Sequence, residues 1–344
     1  MPLAKKQKIS TLTAKKHIPI YAFLELTRKC NLNCRHCYIV KEKRPELSSG
    51  AAKLIINQLA DSGSLILNLS GGEVFTRKDF FDIAEYARSK KFAIKIFTNG
   101  TLIDADTASR IKALKPLRVE VTLYSLNGPI HDSITRIKGS WGLTMSGIKN
   151  LAKTKVPIRI KCPLTKLNVG SYKGVLNFSK KINAKYQFDP TITPKLNGST
   201  QPATLRINAE QLYGIFSDPE LDEKSFNSKA FAEENFICSA GRNSCAISAY
   251  GDVLPCIIWP ESLGNLKEKK FSEIWKNSHK LKTIRSIKMC DLARCSRCGA
   301  KKWCSRCPGL GFLEKGNLRE PSDRNCQIAL IKKDIAISKS SRKC

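Results

Sequence analysis

Short apolar runs and amphipathic stretches alternate along the first 190 residues, and this alternation constrains the fold more than any other feature. The stretch 48–62, for example, has helical periodicity, a Ser at its start and Gly63 as its stop. Repeated strand and helix units form parallel β/α structure, whose ligands bind at the carboxyl ends of the strands. We predict strands at 19–26, 65–69, 92–97, 117–123, 157–162 and 185–188, and further helices at 78–90, 104–114, 143–153 and 169–181.

Six units are fewer than the eight that close a full barrel, so an α/β partial (β/α)6 barrel is predicted over residues 18–190. Residues 1–17 are expected to form a basic tail, and 191–237 a bridging region. From residue 238 to 344 the chain is rich in Cys, Gly, Lys and Arg, with little periodicity before a closing helix at 323–337. Because this last segment has too little apolar core of its own, metal ligation is its expected organiser.

The composition places the chain among soluble proteins. No apolar run approaches the roughly 18 residues of a membrane-spanning helix, and no secretory signal is present, so a cytoplasmic location without membrane contact is expected. The formal net charge is +31. That charge suits an acidic partner, although solubility alone accounts for it equally well.

Fourteen cysteines are distributed in two groups around a cysteine-poor middle. Three lie at 30–37 and nine at 238–326. Disulfide frameworks belong mostly to small secreted domains, so clustered reduced thiols in a chain of this length indicate metal binding. Cys162 and Cys344 stand apart and are predicted to be a buried apolar thiol and a free thiol, respectively.

The first cysteine group directly follows the first predicted strand. Cys30, Cys34 and Cys37 are separated by three and then two residues, on a loop where β/α folds carry catalytic groups. Three thiolates are one ligand short of a closed zinc or iron–sulfur site, which leaves a metal position open to a substrate. The spacing alone also fits a zinc knuckle that borrows a distant ligand such as His131.

This triplet resembles the signature of the radical S-adenosylmethionine (SAM) enzymes. In that family three Cys hold a [4Fe–4S] cluster, and SAM chelates the fourth iron through its amino and carboxylate groups. The sequence Ser-Gly-Gly-Glu after the second strand and Thr-Asn after the third match other family features in order. By this resemblance the SAM contacts would be His36, Tyr38, Ser70, Gly71, Gly72, Glu73, Thr98 and Asn99.

The resemblance implies a reaction as well. In the family, an electron from the reduced cluster cleaves SAM into methionine and a 5′-deoxyadenosyl radical, which abstracts hydrogen from an unactivated C–H bond. The protein's task is then to position the target carbon and exclude water. An electron donor such as flavodoxin or ferredoxin is the expected partner.

The second cysteine group resembles the SPASM domain of radical SAM peptide maturases, which holds two auxiliary iron–sulfur clusters, expected here as [4Fe–4S]. Only two residues separate the last two Cys of the central run, where the family usually has three. The resemblance assigns Cys238, Cys245, Cys256 and Cys307 to the first auxiliary cluster, and Cys295, Cys298, Cys304 and Cys326 to the second. Cys245 is the weakest of these assignments, and Cys290 is close enough to replace a ligand. A pair of zinc sites is the alternative for this group.

The resemblance favours modification of a peptide or small protein by oxidation, cross-linking or a related maturation. Only some eighteen residues precede the first strand, so a separate small protein would supply any peptide recognition, if it is needed. A second hypothesis is action on tetrapyrrole side chains in haem-type biosynthesis. A third is a non-enzymatic iron–sulfur electron carrier or redox-sensing nucleic-acid binder, whose positive charge would bind phosphate. The open cysteine triplet argues against this third hypothesis, because a carrier gains nothing from an unfilled iron, and nucleic acid is not the expected partner.

Two smaller features complete the prediction. Arg159 and Lys161 alternate with apolar residues along a strand, so both could face the barrel mouth and pair with SAM or with a substrate carboxylate. His131 and Asp132 could form a proton shuttle, or a structural hydrogen bond in a loop.

Overall fold

Six parallel strands form the barrel wall in the computed structural model, which describes residues 3–221 and 237–341. Residues 222–236 of the predicted bridge, the first two residues of the tail and Cys344 lie outside the described residues. The predicted α/β class is confirmed, and each strand end lies within two residues of its predicted position. The strands are β1 (Tyr21–Thr27), β2 (Ile66–Gly71), β3 (Ala93–Thr98), β4 (Arg118–Thr122), β5 (Ile158–Pro163) and β6 (Lys185–Asp189).

Helices connect these strands and cover one face of the sheet. Several begin at side-chain caps: Ser48, Asp104 and Asn127 each accept a backbone N–H from the first turn of the helix that follows. The helices of this part are α1 (Leu3–Lys15), α2 (Ser49–Asp61), α3 (Phe80–Ser89), α4 (Ala105–Ala113), α5 (Gly128–Thr135), α6 (Ser140–Lys153), α7 (Tyr172–Lys181) and α8 (Ala209–Ser217).

The predicted basic tail contains a helix, α1, that is attached to the C-terminal region. The Asn243 side chain donates to the Ser10 carbonyl at 2.9 Å, and the Trp275 indole N–H donates to the His17 carbonyl at 2.6 Å. The loop placement of His131 was also wrong, since α5 contains it. This short helix is recognisable from the Asn127 cap and the proline in its first turn.

The C-terminal cysteine region continues the same sheet. Strand β7 (Ser244–Ile247) pairs parallel with β1, and β8 (Asp252–Leu254) and β9 (Gly264–Asn265) follow antiparallel, giving the order β6-β5-β4-β3-β2-β1-β7-β8-β9. Hydrogen bonding therefore continues across the boundary predicted near residue 237. The helices of this region are α9 (Phe271–Asn277), α10 (His279–Ser286), α11 (Ala293–Ser296), α12 (Pro308–Lys315) and α13 (Asp323–Ser341).

The two faces of the barrel strands have different surroundings. On β1, Ala22 and Leu24 are fully buried in the apolar core, whereas Tyr21 and Phe23 line a cavity of about 930 Å³. This alternation follows from the period of two along a strand. None of the described helices is long and apolar enough to cross a membrane.

Candidate active site

One cavity brings the two cysteine groups together. Cys30, Cys34 and Cys37 line it from the loop after β1, and Cys256 and Cys307 line it from the C-terminal region. Many of its other lining residues come from the carboxyl ends of the barrel strands, where β/α folds place their chemistry. The cavity can therefore hold a substrate between two groups of thiols.

The three thiols of the first loop lie close enough to influence one another. The pKa of Cys34 is raised to about 12, mainly by burial; the hydrogen bond from Tyr124 opposes the rise, and the neighbouring Cys37 and Cys30 add to it. Burial also raises the pKa of Cys30 and of Cys37. Thiols of this kind stay protonated near neutral pH unless a cation stabilises their thiolates, which is what a metal centre does.

The glycine pair lets the loop after β2 touch the cysteine loop. A Cβ on Gly71 would lie 2.1 Å from the Thr27 carbonyl oxygen, and one on Gly72 would lie 2.2 Å from the Lys29 carbonyl oxygen. Gly71 also has a φ of +143°, a conformation that side chains rarely adopt. Both glycines line the cavity. The backbone therefore requires glycine here, independently of any contact with SAM.

The Glu73 carboxylate lies beneath the loop after β3. It accepts the Thr98 hydroxyl at 2.8 Å and the backbone N–H groups of Asn99 at 2.6 Å and Phe75 at 3.2 Å. Burial raises the pKa of Glu73 to about 7, although these hydrogen bonds oppose the rise. Glu73 is fully buried and does not line the cavity. Its placement thus supports positioning of the Thr98–Asn99 loop, whereas the predicted contact of Glu73 with SAM stays a prediction.

Asn99 connects the loop after β3 to the cysteine loop. Its side chain donates to the Asn31 side-chain oxygen at 2.9 Å and lies 3.9 Å from Cys30 Sγ. Its own side-chain oxygen accepts two hydrogen bonds from Thr101. Asn99 lines the cavity, and these hydrogen bonds hold its side chain in one orientation. It is therefore a well-oriented polar group beside Cys30.

Tyr124 is a site residue that the sequence analysis missed. Its hydroxyl lies 3.5 Å from Cys34 Sγ and 2.9 Å from Nε2 of His36. Burial lowers the pKa of His36 to about 4, so the ring is neutral near pH 7. The position of Tyr124 just after β4, at the carboxyl edge of the sheet, was the available signal. The predicted contacts His36, Tyr38, Ser70, Gly71, Gly72, Thr98 and Asn99 all line the cavity.

The first auxiliary group of thiols contains three of the four predicted ligands. The pKa of Cys307 is raised to about 12, mainly by burial and to a smaller extent by the nearby Cys238 and Cys256. Cys245 lies on β7 beside Ala22, within the apolar core, and burial alone raises its pKa to about 12. The alternation along β7 turns the neighbouring Ser244 toward the cavity and Cys245 away from it. The structure therefore does not bring Cys245 together with the other three.

The second auxiliary group contains all four of its predicted thiols. The pKa of Cys304 is raised to about 11, mainly by burial. The nearby thiols of Cys326, Cys295 and Cys298 raise it to a smaller extent. None of these four lines the cavity. Cys290 is exposed, and its thiol lies 3.7 Å from the Asp291 carboxylate rather than among the other thiols.

The described thiols do not form a site for a single metal ion. In the described part of the chain, no three Cys, His, Asp or Glu side chains lie close enough to hold one ion. A tetrahedral zinc with Zn–S bonds of about 2.3 Å requires sulfurs only about 3.8 Å apart. An iron–sulfur cluster distributes its irons over a larger volume and suits more widely spaced thiols. Three thiols on one loop are the number of protein ligands that a [4Fe–4S] cluster with one open iron position takes.

The family models agree with this geometry. Residues 24–167 match the radical SAM superfamily, and residues 238–308 match SPASM, an iron–sulfur cluster-binding domain. The mycofactocin maturase MftC of Mycobacterium tuberculosis is 30% identical over 301 residues, which cover 82% of this chain and 76% of that protein. The chain belongs to the radical SAM superfamily and carries a SPASM domain. It is accordingly a radical SAM enzyme that uses SAM and a [4Fe–4S] cluster.

Other similar proteins have different names. The AdoMet-dependent heme synthase of Methanosarcina barkeri is 26% identical over 325 residues, which cover 86% of this chain and 93% of that protein. The structure resembles Streptococcus suis SuiB bound to its precursor peptide SuiA, with a TM-score of 0.67, 20% identity and coverage of 94% and 80% of the two chains. It also resembles anSMEcpe with bound AdoMet, with a TM-score of 0.70, 17% identity and coverage of 93% and 97%. At these identities the two structures support the fold alone.

Proposed function

We propose that this enzyme uses the 5′-deoxyadenosyl radical to modify a peptide or small protein. The observation that carries the proposal is the shared cavity, in which Cys30, Cys34 and Cys37 face the same space as Cys256 and Cys307. A substrate in that space can lose a hydrogen atom at one end and transfer an electron to an auxiliary cluster at the other. This arrangement suits an oxidative maturation.

Three sets of thiols would hold the clusters. When bound, the cluster and SAM together supply the electron transfer that generates the 5′-deoxyadenosyl radical. Cys238, Cys256 and Cys307 are the proposed protein ligands of the first auxiliary cluster, with Cys245 left out because it faces the core. Cys30, Cys34 and Cys37 would hold the SAM cluster, and Cys295, Cys298, Cys304 and Cys326 the second auxiliary cluster.

The surrounding residues would orient SAM and exclude water. Glu73 holds the Thr98–Asn99 loop through buried hydrogen bonds, and Asn99 connects that loop to the cysteine loop. The side chains of His36 and Tyr124 are hydrogen-bonded to each other, and the Tyr124 hydroxyl lies beside Cys34. Fixed polar groups of this kind lose little free energy to reorganisation when the reaction proceeds.

The peptide substrate is supported by the similar proteins. The mycofactocin maturase, at 30% identity, is named for maturation. We propose a flavodoxin or ferredoxin as the electron donor. We also propose a separate peptide-recognition protein as a partner, where the substrate needs one.

A tetrapyrrole substrate is the second candidate. The heme synthase aligns over 93% of its own length with this chain. Among the described residues, ten Lys and Arg side chains line the cavity, but only two carboxylates do, Glu120 and Asp189. A polycarboxylate substrate would balance that charge.

Deuterium transfer tests both candidates even while the substrate is unidentified. The reconstituted enzyme is incubated anaerobically with SAM, dithionite and a low-molecular-weight extract of source cells grown on deuterated medium. Radical abstraction from a substrate places deuterium in 5′-deoxyadenosine. Protease treatment of the extract should abolish this signal if the substrate is a peptide.

A second incubation, with Fe-coproporphyrin III, addresses the tetrapyrrole candidate. Loss of carbon dioxide from this compound, together with a protease-resistant deuterium signal, would replace the peptide proposal with the tetrapyrrole one. The absence of deuterium transfer from any source would contradict both.

A further inference from the structure

Four basic side chains on three adjacent strands face the cavity: Lys95 on β3, Arg118 on β4, and Arg159 and Lys161 on β5. The strand register makes them neighbours. Lys95 on β3 pairs with Arg118 on β4, and Arg159 on β5 pairs with Glu120, which lies two residues after Arg118 on β4. We call these four residues the basic wall.

The charge of the basic wall is only partly balanced by the protein. Glu120 is the one carboxylate that these strands direct into the cavity within the described residues. It binds Arg118 at 2.6 Å and lies 3.9 Å from the Arg159 guanidinium. Glu120 is 3% exposed, and its ion pairs with Arg118 and Arg159 both lie within the basic wall. This one carboxylate therefore balances only part of the charge of Arg118, Arg159 and Lys161.

Arg159 has unused hydrogen-bonding capacity. One terminal nitrogen donates to the Gln187 side-chain oxygen at 3.0 Å, but its Nε is buried without a partner among the described residues. Burial lowers the pKa of Arg159; Glu120 opposes this effect and Arg118 adds to it. A buried donor without a partner costs about 1–3 kcal/mol, so a bound acceptor would recover that free energy.

Lys161 is the second cation of the proposed site. Its ammonium group lies 5.3 Å from the Phe97 ring centroid, and no ion pair joins it to a carboxylate of the described residues. Since Lys161 and Arg159 are two residues apart on β5, their side chains leave the same face of the strand. Together they can bind one carboxylate from two directions.

The position of the basic wall separates it from the SAM end of the cavity. Arg159 lies four residues before the carboxyl end of β5, and Lys161 lies two before it. At about 3.3 Å per residue, they are about 13 Å and about 7 Å from that strand end. An anion bound there would belong to the molecule on which the radical acts.

We propose that Arg159 and Lys161 bind a carboxylate of the substrate and hold it in the barrel below SAM. The inference rests on the proposed function, and it narrows the substrate to a molecule with at least one carboxylate in reach. That group can be an acidic side chain or terminus of a peptide, or a propionate of a tetrapyrrole.

Binding to the reconstituted holoenzyme tests the proposal without turnover. The probes are coproporphyrin III with its tetramethyl ester, and a pool of Glu-containing hexapeptides with the matching Gln pool. At least one carboxylate probe should bind and its neutral counterpart should not. The variant R159Q/K161Q should weaken that binding by roughly 100-fold, since each charged hydrogen bond contributes about tenfold or more. The matched control is K269Q/K276Q, which removes two exposed lysines outside the cavity.

The outcomes separate the possible sources of the carboxylate. Binding of the porphyrin identifies a tetrapyrrole acid, and binding of the Glu pool identifies a peptide acid. Absence of both, equal binding of the neutral probes, or an unchanged affinity in R159Q/K161Q would overturn the proposal. An equal loss of SAM affinity would also overturn it by assigning these residues to SAM itself. Failure of the proposed function is seen separately, as absence of 5′-deoxyadenosine in the wild-type enzyme.

Discussion

The Tyr124 hydroxyl lies 3.5 Å from the Sγ atom of Cys34, and 2.9 Å from Nε2 of His36. Because His36 is neutral, its Nε2 atom can either accept a hydrogen bond from the Tyr124 hydroxyl or donate one to it. In the second case the hydroxyl donates its own hydrogen bond to Cys34. A hydrogen bond to a ligating sulfur withdraws negative charge and makes a cluster easier to reduce. Tyr124, on the loop after β4, is thus expected to influence the reduction potential of a cluster bound by Cys30, Cys34 and Cys37.

The variant Tyr124→Phe should lower the reduction potential of the SAM cluster. Loss of a hydrogen bond of about 1 kcal/mol corresponds to roughly 40 mV for one electron. An anaerobic redox titration followed by electron paramagnetic resonance measures this shift. Tyr86→Phe is the matched control, because Tyr86 bonds to Asn57 and does not line the cavity. Equal potentials in the wild type and Tyr124→Phe would show that the hydroxyl has no such effect.

Glu73 should make stability depend on pH. Burial raises its pKa to about 7 from an ordinary 4.5, so between these values the folded state binds more protons than the unfolded state. Stability must therefore fall as pH rises through this window, by roughly 3 kcal/mol in total. Anaerobic melting should show wild type losing Tm relative to Glu73→Gln between about pH 5 and pH 7.5. The exposed Glu85→Gln serves as control, and a Tm difference independent of pH would contradict the prediction.

Cys256 and Cys245 should differ in their effect on iron content. Wild type is expected to hold about twelve irons, four in each of three clusters. Cys256→Ala removes a thiol of the first auxiliary group and should lose about four of them, whereas Cys245→Ala changes only a core side chain and should keep all twelve. Iron analysis with Mössbauer spectroscopy measures both. A loss of four irons in Cys245→Ala would restore it as a ligand, and about four irons with two zincs in wild type would contradict the auxiliary clusters.

Deletion of residues 1–17 should destabilise the protein. The deletion removes the acceptors of Asn243 and of the Trp275 indole, leaving buried donors without partners at a cost of about 1–3 kcal/mol each. Thermal melting should show a lower Tm for the deletion and a smaller decrease for Asn243→Ala. The exposed Asn277→Ala should melt like wild type. An unchanged Tm in the deletion would show that helix α1 is dispensable for stability.

The sequence predicted features that depend on local pattern. Strand positions follow from apolar runs with short turns. The Cys30–Cys37 spacing, together with the Ser-Gly-Gly-Glu and Thr-Asn sequences that follow in order, indicates the chemistry without any tertiary information. The surroundings of Cys245 could not be predicted, because they depend on which face of β7 it occupies, and β7 pairs with a strand more than two hundred residues earlier. The hydrogen bonds of Tyr124 and Glu73 were missed for the same reason, since their partners are distant in sequence.

Formation of 5′-deoxyadenosine tests the central claim most directly. The reconstituted enzyme is incubated anaerobically with SAM and dithionite, alongside Cys34→Ala and the exposed-thiol control Cys290→Ala. Wild type and the control should release 5′-deoxyadenosine, whereas Cys34→Ala should release none while keeping the roughly eight irons of its auxiliary clusters. Undiminished cleavage of SAM by Cys34→Ala, or no cleavage by the wild type with its clusters in place, would contradict the assignment of the active site.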